Sequence, residues 1–446
     1  MITYIKNLII IALFLCSFTI HAYGATVPAA SASYSDVASA VSIAQPGDTV
    51  VVPPGTAIWD STLVVTKGIV LKSAIIGNTV ITAGGSSTLI KYQPDNPSLN
   101  ETFRLTGFTL DGNLTAKTVL YVANPSHTAI LTKIRIDHNR IINSSTGASD
   151  QGIYFLGMIY GVVDSNQIEN NATAFRILGD NNYSWNDTLS LGSANSLYIE
   201  NNNISKITAV NGGYVILSGW GARFVFRYNT VDVTGVGDPV FDAHGNLGGG
   251  TSPNCDWGNV GGVRGVVTTE MYENTITNFN RSNGKFFDVR GGTGLLFNNA
   301  STGTISGCNT AIRVREEDDD AIGSCYPLKT TYPGYDPVKD TYIWNNTNNG
   351  SAMCFINSDP STFIFDQHDV WSDVKVWNGG VNTYFTKGLS SGRSGTCTDK
   401  DVYWETDNRK LYRCVGTDNW TFIYTPHTYP HPFTITPAAP TNLGVK

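Results

Sequence analysis

Two short segments place acidic, basic and imidazole side chains beside strongly apolar ones: VFDAHG, with Asp242 and His244, and KFFDVRGG, with Asp288 and Arg290. The side chains of a β-strand point alternately to opposite faces. If the apolar residues of each segment are buried, Asp242 and His244 face outward together, and Asp288 and Arg290 are exposed in the same way. Carboxylate, imidazole and guanidinium groups in one place can supply acid, base and charge-stabilising chemistry.

Two further residues belong with this set. In TTEMYENT an inward Met271 turns Glu270 outward, and Arg264 follows a Gly-rich insertion. Neighbouring strands lie about 4.8 Å apart, so these groups would meet on one face if the segments stack as adjacent strands. Arg is a poor base because it keeps its proton. His244 is therefore the better base if its pKa lies near neutrality.

The same charged residues also suit a purely structural role. Titratable groups cluster in ion-pair networks as well as in active sites. Such a network would tie successive strands together beneath the insertion. Its members would be Asp242, Asp288, Arg264 and Arg290.

A repeat in the surrounding sequence indicates how the strands are arranged. Short β-branched segments recur every 25 to 45 residues, each with an Asn at its end. This predicts a solenoid, in which each rung covers the apolar face of its neighbour. Asn tolerates the left-handed backbone of a tight turn and its amide can stack, so we expect an asparagine ladder; the alternative is that Asn only marks turns. The positions are Asn139, Asn166, Asn202, Asn229, Asn274 and Asn299.

Two long insertions interrupt the repeat. The segments 179–196 and 244–262 are rich in Gly, Asn and Ser and carry Trp185 and Trp257. Loops on a rigid scaffold often hold binding sites, and an exposed Trp offers a platform for a sugar ring. Each Trp could equally pack its own loop against the solenoid.

The N-terminal segment predicts export and then a capped solenoid. A basic residue, an apolar run and small residues before Gly24 make 1–24 a signal peptide. The run is shorter than the ~20 residues that span a bilayer. The pattern in 35–44 predicts an amphipathic helix with Ser35 or Asp36 as N-cap, placed to cover the open end of the solenoid.

Composition agrees with one long β domain. Only 15% of the residues are charged, 45 are Gly, and the formal net charge is −7. Many short strands and tight turns suit this balance, and the chain offers no basic patch for nucleic acid. We expect the solenoid to occupy 25–395, followed by a hairpin and tail at 396–446.

Six cysteines follow the predicted leader, an even number that favours disulfides in an exported chain. Cys397 and Cys414 flank a predicted hairpin, VYW and LYR, and are expected to pair. The acidic run 316–320 either binds Ca²⁺ or forms a solvated loop. The pairing of the other four cysteines stays open: Cys255, Cys308, Cys325 and Cys354.

The phrase QPGDTVVVPPG, followed by the strand KGIVLKSA, resembles the opening of secreted right-handed parallel β-helix proteins of the pectate lyase-like superfamily. With the Asn-marked rungs, the resemblance covers most of the chain after the leader. It implies an all-β fold, a right-handed parallel β-helix solenoid with a short N-terminal capping helix and a C-terminal disulfide-linked hairpin. A fold of this kind does not fix a function.

The order and spacing of FDAHG, TEMYENT and DVRGG are similar to the chondroitinase and alginate lyase family of parallel β-helix enzymes. In that family alternate acidic residues bind Ca²⁺, a Lys abstracts the proton beside the uronate carboxylate, and an Arg assists the leaving oxygen. The resemblance implies Asp242 and His244 as metal-binding residues and Arg290 as that Arg. His244 stands where the family has a carboxylate, and Arg264 is nearest to the place of the Lys.

These patterns predict an exported protein that binds an acidic polysaccharide and cleaves it by β-elimination. The alternative is a non-catalytic surface or envelope protein, a glycan-binding adhesin or rigid spacer. We expect it to be secreted, periplasmic or at the cell surface. The predicted catalytic residues are His244, Arg264 and Arg290, and the predicted substrate-binding residues are Trp185, Trp257, Glu270 and Asp288.

Overall fold

The computed structural model describes residues 24–85, 87–147, 150–205, 213–245, 264–280, 285–305, 312–317, 336–358, 364–375 and 380–434. Several predicted features lie outside these residues, so the structure does not bear on them. They are the leader before residue 24, Trp257, Cys255, Cys308, Cys325 and the acidic residues at 318–320.

Each rung of the chain contributes short strands to three sheets in turn, and their strands run parallel except for one terminal pair, Thr347–Asn348 with Ser351–Ala352. In one rung, Arg223–Arg227 joins sheet A, Thr230–Asp232 joins sheet B and Phe241–Ala243 joins sheet C. Each of these strands pairs in parallel with the corresponding strand of the next rung. The chain is therefore a parallel β-helix, as the sequence predicts.

The strands of sheet A are, in spatial order, Thr26–Pro28, Thr49–Val52, Val70–Ser73, Phe103–Thr106, Leu131–Asp137, Ile159–Asp164, Leu197–Glu200, Arg223–Arg227, Thr268–Tyr272, Thr293–Phe297, Thr341–Trp344 and Val370–Ser372. Those of sheet B are Gly55–Trp59, Thr79–Ala83, Phe108–Asp111, Arg140–Ile142, Gln167–Glu169, Asn203–Ser205, Thr230–Asp232, Thr275–Thr277, Ala300–Ser301, Thr347–Asn348 and Ser351–Ala352. Those of sheet C are Leu63–Val65, Thr88–Tyr92, Thr118–Ala123, Gln151–Leu156, Thr173–Leu178, Ile216–Gly219, Phe241–Ala243, Phe287–Val289, Ile312–Val314 and Phe355–Asn357.

The inward side chains of the three sheets fill one continuous apolar core that runs through the stacked rungs. Phe226, Phe241 and Met271 are fully buried in it, as alternation in their strands requires. Full burial of such a side chain stabilises the fold by roughly 1.5–3 kcal/mol. The core thus fixes which face of each strand is left for the outer residues.

An asparagine ladder connects the rungs at the corner between sheets A and B. Asn139 Nδ2 lies 3.2 Å from Asn166 Oδ1, and Asn166 Nδ2 lies 2.9 Å from Asn202 Oδ1. The ladder continues through Asn229, Asn274 and Asn299 with equivalent bonds. The predicted ladder is confirmed, and it extends one step further, to Asn346.

The residue with left-handed backbone is not the ladder Asn but the one before it. Ser165, Tyr228 and Glu273 have φ values of 58°, 54° and 58°. The ladder Asn itself is buried, where its amide satisfies backbone groups of its own and the preceding rung. Of the two predicted reasons for Asn at this corner, amide stacking is confirmed and backbone tolerance is wrong, because the amide's hydrogen bonds favour Asn there.

A helix covers the first rungs, as predicted. It spans Tyr34–Ile43, and Val37, Ala40 and Val41 pack into the core. The N-cap is Ser33, whose side chain accepts a hydrogen bond from a backbone N–H in the first turn, and not Ser35 or Asp36. Among the described residues, no helix is long and apolar enough to cross a membrane. Within the described ranges, further helical segments are Asn181–Asn186, Pro97–Leu99, Ser390–Gly392 and Pro432–Thr434.

The C-terminal part folds as a four-stranded sheet against the outer face of sheet A. The predicted hairpin is present, and the Cys397–Cys414 disulfide is confirmed. Cys354 is also disulfide-bonded. The strands of this sheet are Phe385–Gly388, Val402–Glu405, Lys410–Cys414 and Trp420–Tyr424.

Candidate functional site

Parallel register gives sheet C one continuous row of outward residues, one from each strand. Their neighbours along each strand, such as Phe155 and Ala243, point into the core. The row contains charged, aromatic and apolar side chains. In order it reads Val64, Lys91, Tyr121, Tyr154, Arg176, Leu217, Asp242, Asp288, Arg313 and Ile356.

Arg290 organises the C-terminal half of this row. Its Nε and Nη2 donate to the two carboxylate oxygens of Asp242 at 3.0 and 2.6 Å. Its Nη1 donates to Glu317. Glu317 also accepts from the backbone N–H of Gly245 at 2.6 Å, where a Cβ would lie only 2.2 Å from the Arg290 carbonyl oxygen. Glycine is required at that approach because no side chain fits there.

A second group of contacts surrounds Asp288. Arg313 donates to both of its carboxylate oxygens, at 2.7 Å through Nε. Arg315 lies 3.5 Å from the same carboxylate, and Arg290 lies 3.8 Å from it. Bidentate pairs of this kind hold both partners in a fixed geometry. We refer to Asp242, His244, Asp288, Arg290, Arg313, Arg315 and Glu317 as the charged cluster.

His244 lies between two carboxylates. Its Nε2 is 3.1 Å from Asp242 and its Nδ1 is 3.2 Å from Glu317. Burial alone would lower the pKa of His244, but the Asp242 and Glu317 carboxylates raise it to about 9. Its pKa therefore does not lie near neutrality, and the condition for His244 to act as a base is not met.

Arg290 Nη2 also lies 2.7 Å from His244 Nε2, a separation that suits a neutral imidazole accepting a hydrogen bond. Both arrangements cannot hold at once, because a doubly protonated ring has no acceptor. The protonated form is favoured at neutral pH, since two carboxylates flank the ring against one guanidinium. Burial would raise the pKa of Asp242, yet His244 and Arg290 hold it well below its usual range.

The acids and the cations of the charged cluster differ in exposure. The three carboxylate side chains, from Asp242, Asp288 and Glu317, are each only 1% exposed. The prediction that Asp288 and Arg290 are exposed is wrong, because ion pairs with neighbouring rungs cover them. The cations remain partly accessible: His244 is 23% exposed, Arg313 21%, Arg315 13% and Arg290 8%.

Glu270 does not lie on this face. Its strand belongs to sheet A, and its carboxylate accepts from Tyr424 at 2.6 Å and from the Gly192 N–H at 2.9 Å. The sequence treats Glu270 and Asp242 as neighbours, but consecutive strands of one rung enter different sheets. Glu270 is buried beneath the C-terminal sheet, where burial raises its pKa.

Arg264 and Trp185 form a separate contact. Arg264 donates to both oxygens of Asp336, 2.8 Å from Nε, and its guanidinium carbon lies 4.8 Å from the Trp185 ring centre. Trp185 Nε1 donates to the Gly265 carbonyl at 2.8 Å. These contacts favour the alternative in which Trp185 packs its own loop against the solenoid. The roles predicted for Arg264 and Trp185 stay predictions.

The residues predicted to bind Ca²⁺ do not fit that ion as arranged here. Both oxygens of Asp242 accept from Arg290, and His244 offers nitrogen where Ca²⁺ prefers oxygen. Of the acidic run, Glu316 and Glu317 are described, and both are buried. Within the described parts of the chain, no group of three or more His, Cys, Asp or Glu is placed to hold a metal ion. Ca²⁺ dependence stays a prediction.

Sequence reasoning missed Glu317 as a member of the cluster and missed the N-terminal half of the outward row. Glu317 lies 72 residues from Gly245, and the run of five acids hid its specific contact. The row could have been found by aligning Lys91, Tyr121, Tyr154 and Arg176, each of which alternates with buried apolar residues.

No protein-family model matches the chain, and no curated protein matches it. Among solved structures it is similar to an alginate lyase from Paenibacillus sp. str. FPU-7, at 14% identity over 74% of this chain and 97% of that chain, with a TM-score of 0.40. It is also similar to the A-module of a mannuronan C-5 epimerase from Azotobacter vinelandii, at 14% identity over 78% and 93%, TM-score 0.45. A PL6 family polysaccharide lyase from Pseudopedobacter saltans shows 14% identity over 82% and 85%, TM-score 0.38. At these identities the likeness concerns the fold, and no function follows from it.

Proposed function

We propose that the chain binds an acidic polysaccharide on the outer face of sheet C, at the charged cluster. The observation that carries this proposal is the difference in exposure within the cluster. Its carboxylate side chains are only 1% exposed, whereas those of His244, Arg313 and Arg315 are 13–23% exposed. The groups that the cluster presents to solvent are therefore cationic. Guanidinium groups pair well with sugar carboxylates.

The outer face of sheet A is a weaker candidate, because the chain itself occupies it. Tyr272, Phe297 and Trp344 on that face pack against Trp404 and Tyr424 of the C-terminal sheet. Arg227, also on that face, donates to backbone carbonyls of the C-terminal segment at 2.7 and 2.9 Å. A ligand there would have to displace this packing.

Cleavage by β-elimination is the narrower part of the proposal. Hydroxide from the solvent removes the proton beside the uronate carboxylate and becomes water, the bond to the leaving oxygen breaks, a carbon–carbon double bond forms, and the departing oxygen takes a proton from protonated His244. With a pKa of about 9, His244 is protonated near neutral pH. It therefore suits donation of a proton to the leaving oxygen and not abstraction of the proton beside the carboxylate. Arg290 would then offset charge on the carboxylate. Export through the predicted leader belongs to the same proposal.

The test measures binding and cleavage together. Alginate and pectate are compared with a neutral glucan, with added Ca²⁺ and with a chelator, and unsaturated ends are detected by ultraviolet absorbance. We expect the acidic chains to bind more tightly than the neutral glucan. Replacing Arg313 and Arg315 by Gln should weaken binding of the acidic chains about tenfold. The matched control is Arg140→Gln, a 44% exposed Arg on sheet B.

Each outcome decides a different part of the proposal. Equal affinity for neutral and acidic chains, or none for any acidic chain, would overturn it. Binding without unsaturated ends under any condition would leave the glycan-binding, non-catalytic alternative. Cleavage lost in His244→Gln with binding retained would support His244 as proton donor.

A further inference from the structure

The N-terminal half of the outward row contains two stacked tyrosines between two cations. Register pairs Lys91 with Tyr121, Tyr121 with Tyr154 and Tyr154 with Arg176, on four successive strands of sheet C. The tyrosine rings stack with centroids 4.8 Å apart and planes 15° apart. Lys91 Nζ and Arg176 Cζ each lie 5.3 Å from the nearer ring centre. We call these four residues the tyrosine strip.

The strip is accessible and its cations have no acidic partner. All four side chains are half-buried and face away from the core. Neither Lys91 nor Arg176 forms an ion pair with any residue that the structure describes, and the buried Nε of Arg176 has no hydrogen-bond partner there. In the charged cluster, by contrast, every Arg has a carboxylate partner.

We propose that the tyrosine strip is a binding site for a chain of uronate sugars that runs along the helix axis. The inference rests on the proposed function, since it takes the ligand to be an acidic polysaccharide, and it adds a site that the charged cluster does not include. Each ring face is covered by the other ring or by a cation, so the tyrosines would present their ring edges and hydroxyls to two central sugars. Lys91 and Arg176 would pair with carboxylates at the two ends.

Geometry supports an axial orientation. Strands of neighbouring rungs are about 4.8 Å apart, so the strip is roughly 14 Å long. A linked pyranose chain repeats at a length similar to the rung spacing, so successive sugars would meet successive rungs. A chain lying across the face would meet only one rung and leave three of the four residues unused.

The strip also leads toward the charged cluster. One strand, Ile216–Gly219 with Leu217 in the row, separates Arg176 from Asp242. A chain held on the strip would therefore reach His244 and Arg290 after about two rung spacings. Binding at the tyrosine strip and any cleavage at the charged cluster would then occur at neighbouring sites on the outer face of sheet C.

The stack has a purely structural reading as well. Aromatic stacking and cation–π contacts stabilise a surface without any ligand. Under that reading the strip variants would lower the melting temperature and leave glycan affinity unchanged. Affinity and melting temperature must therefore be measured on the same variants.

The experiment measures affinity for pectate and alginate oligosaccharides of increasing length, and for the same oligosaccharides with their carboxylates reduced to alcohols. The variants are Tyr121→Ala with Tyr154→Ala, and Lys91→Gln with Arg176→Gln. The control is Phe422→Ala, a 50% exposed aromatic on the C-terminal sheet. We expect affinity to rise up to about four sugars, which cover the four rungs of the strip, and to rise again once the chain is long enough to reach the charged cluster as well.

The two double variants should differ in what they lose. The tyrosine variant should lose about tenfold toward both the acidic and the reduced chains. The cation variant should lose about tenfold in affinity toward the acidic chains alone, and its affinity should depend less on salt.

Wild-type affinity in both strip variants, with binding lost when Arg313 and Arg315 are changed, would overturn the strip and leave the proposed function intact. Loss only in the strip variants would support the strip and overturn the role of the charged cluster. No affinity for any acidic chain would overturn both.

Discussion

Arg290 holds two buried carboxylates, from Asp242 and Glu317, on two different rungs. Its own side chain is 8% exposed, so water does little to compensate for the loss of either partner. The residue therefore joins rungs whatever else it does. This agrees with the network that the sequence left open as an alternative, although Arg264 pairs elsewhere, with Asp336.

We predict that Arg290→Ala lowers the free energy of unfolding by roughly 3–5 kcal/mol, because it leaves buried acids without a counter-charge. Arg140→Ala should cost about 1 kcal/mol or less, since its pair with Glu169 is exposed. Urea denaturation of both variants measures the difference. Equal losses would mean that the cluster is not a structural tie.

The sequence predicted the direction of the outer residues but not their surroundings. Alternation in VFDAHG correctly turned Phe241 and Ala243 into the core. It could not show that Glu317 returns to pair with Arg290 and His244, because those contacts join segments far apart in the chain. Local periodicity determines which way a side chain points, whereas its burial depends on what the rest of the chain places above it.

At the scale of elements, the asparagine ladder ties successive rungs together at the corner between sheets A and B. Asn229 Nδ2 donates to the Ile199 and Arg227 carbonyls and to Asn274 Oδ1, at 2.9, 3.0 and 3.1 Å. Its own Oδ1 accepts from the Asn202 N–H at 2.9 Å. Bulk water cannot compensate for the loss of these bonds, because the side chain is buried.

Asn229→Ala should therefore destabilise the protein by roughly 1–3 kcal/mol for each buried group that it leaves unpaired. Asn203→Ala is the matched control, since Asn203 lies one rung earlier on the exposed face of sheet B. Thermal unfolding followed by circular dichroism distinguishes the two. A control loss as large as that of Asn229 would contradict the ladder's role.

The repeat made the stacking predictable because the same hydrogen-bonding requirement recurs on each rung. Its last member, Asn346, was missed although Ile343 precedes it by the usual three residues, since 47 residues separate it from Asn299. The prediction that Glu270 and Asp242 share one face was wrong, because it took each rung to be a single strand. Glu270 and Asp242 belong to strands of different sheets, and no short pattern marks the corner between them.

At the scale of the whole molecule, the C-terminal segment closes over sheet A. The His431 N–H donates to Glu200 at 2.8 Å, and its ring lies 4.7 Å from Tyr198 and 5.2 Å from His427. Burial, then His427 and Arg227, lowers the pKa of His431 to about 4. The folded protein thus holds this imidazole neutral in mildly acidic solution.

The unfolded chain binds this proton below a pH of about 6.5, whereas the folded chain does not until about 4. Stability contributed by this site should therefore fall as the pH drops from about 6.5 to 4. His431→Asn should have a flatter decline of melting temperature over that window than the wild type. His127→Asn, at an imidazole 61% exposed, is the control. Parallel declines in all three proteins would contradict the assignment.

The single strand between the tyrosine strip and the charged cluster has a consequence for how such a face can vary. Because rungs stack at a fixed pitch, the distance between these two sites can change only in whole steps of about 4.8 Å. Duplicating or deleting the rung that carries Leu217 would move one site relative to the other by one step while leaving each intact. The number of rungs between the tyrosine strip and the charged cluster would therefore determine the shortest glycan that reaches both sites.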